Sequence, residues 1–287
     1  MNRLFWIRLL GLFGFLLVSA AAQAASDLQT IQIGQETRYY RLHLPKPMPT
    51  NALALVLNFH GLGSSAEEQE TLSAFSTLAD QQGFIVVYPQ ARPTRFGISH
   101  WHTKPDEDWH AELSFTQELL QRLQQTYRID AQRIYLTGLS NGAGMANLLA
   151  IQMGERIAAL ATVAGAFYNL DAWQARSPLP VLAVHGTADK IVPFAGRDPL
   201  AGVMQWVNFW VKTNRAVAKP LTIYQQNEIL GQVWPGEPEV QLFTIQGKGH
   251  TWPGSATMPK RLTSQNLDAS ALIWRFFRAH KSPIVAN

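Results

Sequence analysis

No cysteine occurs anywhere in the sequence. That absence excludes a disulfide framework, a thiolate-bound metal, a thiol nucleophile and a lipid-modified cysteine. Charge is also sparse: Asp, Glu, Lys and Arg make up 15% of the 287 residues, with no cluster of one sign. Such a surface gives no reason to expect a nucleic-acid partner. Long apolar runs are missing too. The one near the start, Leu9–Val18, falls short of the roughly 20 residues that a spanning helix needs. No internal repeat, low-complexity tract or interdomain linker is visible.

Hydrophobic residues supply 47% of the chain, ample for a sizeable core. The first residues read as an export signal: Arg3 and Arg8, the short apolar run, then Ala22-Gln23-Ala24 as a cleavage pattern. The expected organisation is therefore a signal peptide over residues 1–24 and a single catalytic domain over residues 25–287, of 287 − 24 = 263 residues. Loss of Arg3 and Arg8 lowers the formal charge from +4 to +2. The expected location is periplasmic or extracellular, with no stable membrane anchor after cleavage.

The apolar pattern alternates strands with helices. Leu28–Ile33 and Tyr39–Leu44 suggest an antiparallel opening around Gly34-Gln35-Glu36. Ala52–Phe59 and Phe84–Tyr88 read as strands covered on both faces. Between them, Ser65 and Glu68 form a capping box that opens a helix running to Gly83. Residues 89–110 form a long loop holding His100, Trp101, His102, Trp109 and His110, and a helix follows over Phe115–Tyr127. Further strands are expected at Ile134–Thr137, Ile157–Ala164, Val181–His185 and Val240–Ile245. Helices are expected around Trp206 and Trp210 and over Ala269–Phe277. This alternation predicts an α/β chain with a mostly parallel central sheet and helices on both faces. In such sheets, sites form beyond the carboxyl ends of the strands.

One stretch organises the rest. Ile134–Thr137 leads into Gly138-Leu139-Ser140-Asn141-Gly142, and helical spacing follows through Met145, Leu148 and Leu149. Strand, sharp turn and helix are the context a G-x-S-x-G nucleophile elbow requires. Glycines at 138 and 142 let strand and helix close around Ser140. A serine hydroxyl needs a base, and the base needs an orienting acid. Past the strand ending at His185 comes Asp189, with Asp171 and Asp198 as rival acids; His185 is expected to brace that loop. Past the last strand comes His250, flanked by Gly249. Ser140, Asp189 and His250 thus follow in the order nucleophile, acid, base. Asn141 N–H should donate to the oxyanion, with a second donor from His60-Gly61-Leu62-Gly63: Leu62, with Gly61 as runner-up. His100-x-His102 lacks a placed carboxylate or thiol partner, so no metal site is expected. Trp101, Trp109 and Trp252 lie in expected strand-end loops, so at least one should line a substrate pocket.

The blocks LNFHGLG, FIVVYPQA, RIYLTGLSNGAGMA, VLAVHGTADKIVPF and GKGHTWPG resemble the polyhydroxybutyrate depolymerase and feruloyl esterase group of α/β-hydrolases, carbohydrate esterase family 1 in type. The likeness runs from about Tyr39 to Ala279. It implies the α/β-hydrolase fold, with Ser140 as nucleophile, Asp189 as acid and His250 as base, and no cofactor. Three departures bear on substrate access: no cysteines or separate polymer-binding domain, Ala111–Phe115 in place of an acidic-glycine block, and Arg197-Asp198-Pro199 in an altered segment. The expected activity is serine-dependent hydrolysis of a small-molecule or oligomeric carboxylic ester. Short poly(3-hydroxybutyrate)-type oligoesters come first, with feruloyl or acetyl esters of plant cell walls as the alternative. Acyl transfer, peptide hydrolysis and a non-catalytic binding module are the more distant readings. The sequence leaves the oligomeric state open.

Overall fold

The structure, a computed structural model, describes residues 26–283. The expected signal peptide lies outside the described residues. Ten strands join one sheet in the order β1-β2-β4-β3-β5-β6-β7-β10-β9-β8. They are β1 (Asp27–Ile33), β2 (Glu36–His43), β3 (Leu53–Phe59), β4 (Ile85–Pro89), β5 (Ile129–Leu139), β6 (Ala159–Val163), β7 (Val181–Gly186), β8 (Leu221–Gln226), β9 (Ile229–Trp234) and β10 (Val240–Ile245). The six from β4 to β10 in sheet order are mutually parallel, and antiparallel pairs finish both edges. Strands β3, β4, β6 and β7 are buried at every residue, because helices cover both faces and leave no alternation.

On one face lie α1 (Ala66–Ser73), α2 (Phe75–Gln82) and α6 (Ala269–Phe277). On the other lie α3 (Trp109–Thr126), α4 (Asn141–Met153) and α5 (Val203–Asn214). Each face has its own apolar core. Phe75, Phe84, Trp252 and Phe277 fill the first, and Phe115, Leu119, Met145, Trp206 and Trp210 the second.

Three expectations need correction. The helix expected from Ser65 to Gly83 breaks at Ala74, whose φ of 50° is left-handed. Ser270 Oγ donates to the Ser73 carbonyl at 2.6 Å, a partner supplied by α6 across the core. The capping box forms only in part: Ser65 Oγ accepts from Glu68 N–H, while the Glu68 carboxylate takes the Ser64 hydroxyl instead. The long loop ends sooner than expected, because Trp109 and His110 already belong to α3. The hairpin β8–β9 is additional. Strand β8 carries no buried residue, so it has no inward face to betray it in sequence.

Candidate active site

Parallel strands β5, β6, β7 and β10 are consecutive neighbours, and their carboxyl ends point the same way. Ser140 follows β5 at φ 57°, ψ −120°, a strained left-handed turn that directs the chain into α4. Its N–H donates to Val163 O at 3.0 Å, and its carbonyl accepts from Gly144 N–H and Ala166 N–H. The glycines here are sterically required. A Cβ on Gly142 would lie 2.2 Å from Phe59 O, one on Gly138 2.7 Å from the same atom, and one on Gly144 2.4 Å from Ala166 O.

Asp189 lies just past β7 and His250 just past β10. The His250 Nδ1–H donates to Asp189 Oδ2 at 2.7 Å. The other carboxylate oxygen accepts the N–H groups of Ile191 and Val192, both at 2.9 Å. His185 donates from Nε2 to Val192 O at 2.9 Å and stands 3.4 Å from Asp189 Oδ2, so it ties this loop together. Burial works to raise the Asp189 pKa, but hydrogen bonds from His185 and His250 outweigh it and hold the carboxyl far below its usual range. Gly186 makes the pairing possible: a Cβ there would lie 2.2 Å from Lys248 O, the carbonyl that accepts Ala188 N–H. The rival acids Asp171 and Asp198 line a groove instead.

The structure joins His250 to Asp189 and forms no hydrogen bond between Ser140 and His250 among the described residues. Such contacts are often loose without substrate and tighten around the reacting group. Asn141 N–H opens α4, and Leu62 N–H sits in the loop after β3; neither meets a protein acceptor among the described residues. A Cβ on Gly61 would stand 3.6 Å from Ser140 Cβ, so the two loops abut.

A brace around these donors was not visible in the sequence. The Asn141 side chain makes two reciprocal bonds with the Trp101 backbone: Trp101 N–H to Oδ1 at 2.9 Å, and Nδ2 to Trp101 O at 3.0 Å. The Trp101 indole N–H then reaches His60 O at 3.0 Å. His60 is fully buried. Its Nδ1–H donates to Gly61 O, while Nε2 accepts from Ala91 N–H and the Gln90 amide. Burial pushes its pKa down to about 4, which keeps the ring neutral and its tautomer set. Elbow, long loop and the loop after β3 are thereby tied into one unit. A histidine directly after a buried strand was the only local hint.

Trp101 is 0% and Trp252 1% exposed, so both are core residues, a correction to their expected place on a pocket wall. Each ring carries a polar N–H that finds an internal acceptor, Ser270 Oγ in the case of Trp252. Trp109 is half-buried; it stacks on His110 and meets Trp173 edge-on at 5.5 Å. Lys104 stands over the Tyr168 ring at 5.1 Å, a cation–π contact between the long loop and the segment after β6. His100 and His102 stand ring to ring at 5.2 Å, and carboxylates of Glu107 and Glu112 engage them.

The sequence profile of the family described as Esterase PHB depolymerase matches residues 38–195, more than half the chain. Putative esterase NocK of Nocardia uniformis subsp. tsuyamanensis is 29% identical over 272 residues, covering 84% of this chain and 77% of that protein. Poly(3-hydroxyalkanoate) depolymerase C of Paucimonas lemoignei is 32% identical over 249 residues, covering 74% of this chain but 58% of the longer relative. Feruloyl esterase B of Piromyces equi, 27% identical, is matched over 40% of its length. Among solved structures, an acetyl xylan esterase from Aspergillus awamori superposes with a TM-score of 0.62 at 17% identity, over 85% of this chain and 99% of that one. At that identity the likeness speaks for the fold, which is that of α/β-hydrolase esterases. The chain belongs to the Esterase PHB depolymerase family, a family of carboxylic ester hydrolases.

Proposed function

With that membership as premise, we propose that the chain is an exported serine ester hydrolase in which Ser140, His250 and Asp189 act as nucleophile, base and orienting acid. The observation that carries this reading is the 2.7 Å bond from His250 to a buried Asp189, with Ser140 on a strained turn at the end of β5 in the same run of parallel strands. Ser140 Oγ attacks the acyl carbonyl carbon as its proton passes to His250 Nε2. Asp189 holds the resulting imidazolium. The Asn141 and Leu62 N–H groups receive the oxyanion, the alcohol departs with the proton, and water repeats the sequence to free the acid.

Short poly(3-hydroxybutyrate)-type oligoesters are the first substrate reading, supported by the family and by the depolymerase relative. Acyl esters carried on glycans are the second, supported by relatives named feruloyl and acetylxylan esterases. Export rests on the cleavage pattern at Ala22–Ala24. Hydrolysis of a hydroxybutyrate trimer and of methyl ferulate, measured side by side, separates the two substrate readings. Ser140→Ala should lower kcat about 10⁶-fold on whichever is cleaved; substantial residual turnover overturns the mechanism.

A further inference from the structure

One concavity of the molecule has none of Ser140, Asp189 or His250 in its lining. It is a groove of about 1750 Å³ between the segment 169–178, which follows β6, and the turn 195–201, which follows β7. Its floor is one side of α5, where Gln205, Asn208, Phe209 and Lys212 recur at helical spacing. Small-molecule sites occupy roughly 300–1,000 Å³, so this groove suits a chain-like ligand better.

The turn that walls it is held in shape. Arg197 N–H donates to Leu200 O at 2.9 Å, Leu200 N–H returns to Arg197 O at 2.6 Å, and Ala201 N–H reaches Phe167 O. It contains the altered Arg197-Asp198-Pro199 segment. Residues 196–201 of this turn, and α5, lie beyond the span that the family profile matches.

Four cations line the groove: Arg176, Arg197, Lys212 and Arg215. None has an ion-pair partner among the described residues. Three carboxylates also line it, leaving a balance of 4 − 3 = +1. The half-buried rings of Trp173 and Phe209 add apolar faces between these polar groups. Unpaired guanidinium groups match carboxylates, aromatic faces match the C–H faces of sugar rings, and amides and carboxylates match hydroxyls. A polyester strand has carboxylate only at its end and no hydroxyl along its length, so it would leave most of these groups unused. We propose that this groove is a binding site for an acidic polysaccharide chain, separate from the ester-cleaving site. The inference goes beyond the proposed hydrolysis, because binding there needs none of Ser140, Asp189 or His250.

The test uses Ser140→Ala protein, so that no ester is cleaved during the measurement. Polygalacturonate is the probe, and the same polymer with its carboxylates methyl-esterified is the neutral comparison. Calorimetry at about 0.15 M salt keeps long-range charge attraction screened. The Arg197→Glu, Lys212→Glu double variant should bind polygalacturonate at least tenfold more weakly. An Arg122→Glu, Arg275→Glu pair, with the same charge change on exposed positions of α3 and α6, should bind as tightly as the parent. Without the Ser140 substitution, the groove variant should keep its kcat/KM on p-nitrophenyl acetate, which shows that it is folded. Trp173→Ala should weaken binding several-fold. No binding to polygalacturonate, equal binding to the esterified polymer, or equal loss in the control pair overturns the proposal. Since binding is read with Ser140 removed, failure of the hydrolase reading would leave this result standing.

Discussion

Two buried carboxylates of this molecule have opposite surroundings. Glu112, on α3, is fully enclosed: Arg38 holds one oxygen at 2.9 Å, while Arg92 and His102 approach the other at 3.4 and 3.3 Å. Arg38 in turn stands over Phe115, its guanidinium carbon 4.0 Å from the ring centre. Asp189 is equally inaccessible, but its partner His250 is part-exposed and keeps Nε2 without a protein partner among the described residues. Burial alone would raise both pKa values, and hydrogen bonds from cationic or N–H donors bring both below the ordinary range. The electrostatics are alike. What differs is the exit: Glu112 is enclosed by Arg38, Arg92 and His102, whereas Asp189 is bonded to a part-exposed imidazole.

The comparison breaks or sharpens under substitution. Asp189→Asn should leave folding nearly intact yet lower kcat about 10⁴-fold, through the wrong histidine tautomer, in steady-state assays on the better ester. Glu112→Ala should do the reverse. It strands a buried Arg38 and should cost about 3–5 kcal/mol in denaturant titrations, with kcat of the folded fraction little changed. A kcat loss as large as that of Asp189→Asn would mean that Glu112 also serves catalysis.

Acid should act next, through His60. Its folded-state pKa of about 4 lies below the 6.5 of a free imidazole, so the unfolded chain binds a proton that the native state refuses. The stability it contributes is complete above pH 6.5 and declines as pH falls towards 4, by up to about 3 kcal/mol. Asp189 and Glu112, with depressed values, lose their contribution only below the usual carboxylate range. Denaturant titrations of native protein and His60→Asn between pH 7 and 4.5 should therefore converge as pH falls; parallel curves would show that His60 is not held neutral. The smallest effect is expected for Trp101→Phe, which keeps the ring but deletes the bond to His60 O. About 1 kcal/mol of stability should be lost. A several-fold drop in kcat with KM unchanged would show that the brace sets the oxyanion donors, and a change in KM alone would show that it does not.

The sequence by itself determined the parallel strands, most helices, the elbow and the loops that carry Asp189 and His250. Those features are written locally, as apolar period, glycine placement and residue order past strand ends. The steric demand on Gly138, Gly142 and Gly186 is one backbone atom meeting another, and only glycine satisfies it. Tertiary structure decided the rest. The break at Ala74 depends on Ser270, 196 residues away by 270 − 74; the brace depends on Asn141 meeting Trp101; and the Glu112 cluster gathers three distant segments. Trp101 and Trp252 look like loop residues in the sequence and are core in the fold, because only packing tells an aromatic that faces a cavity from one that fills it.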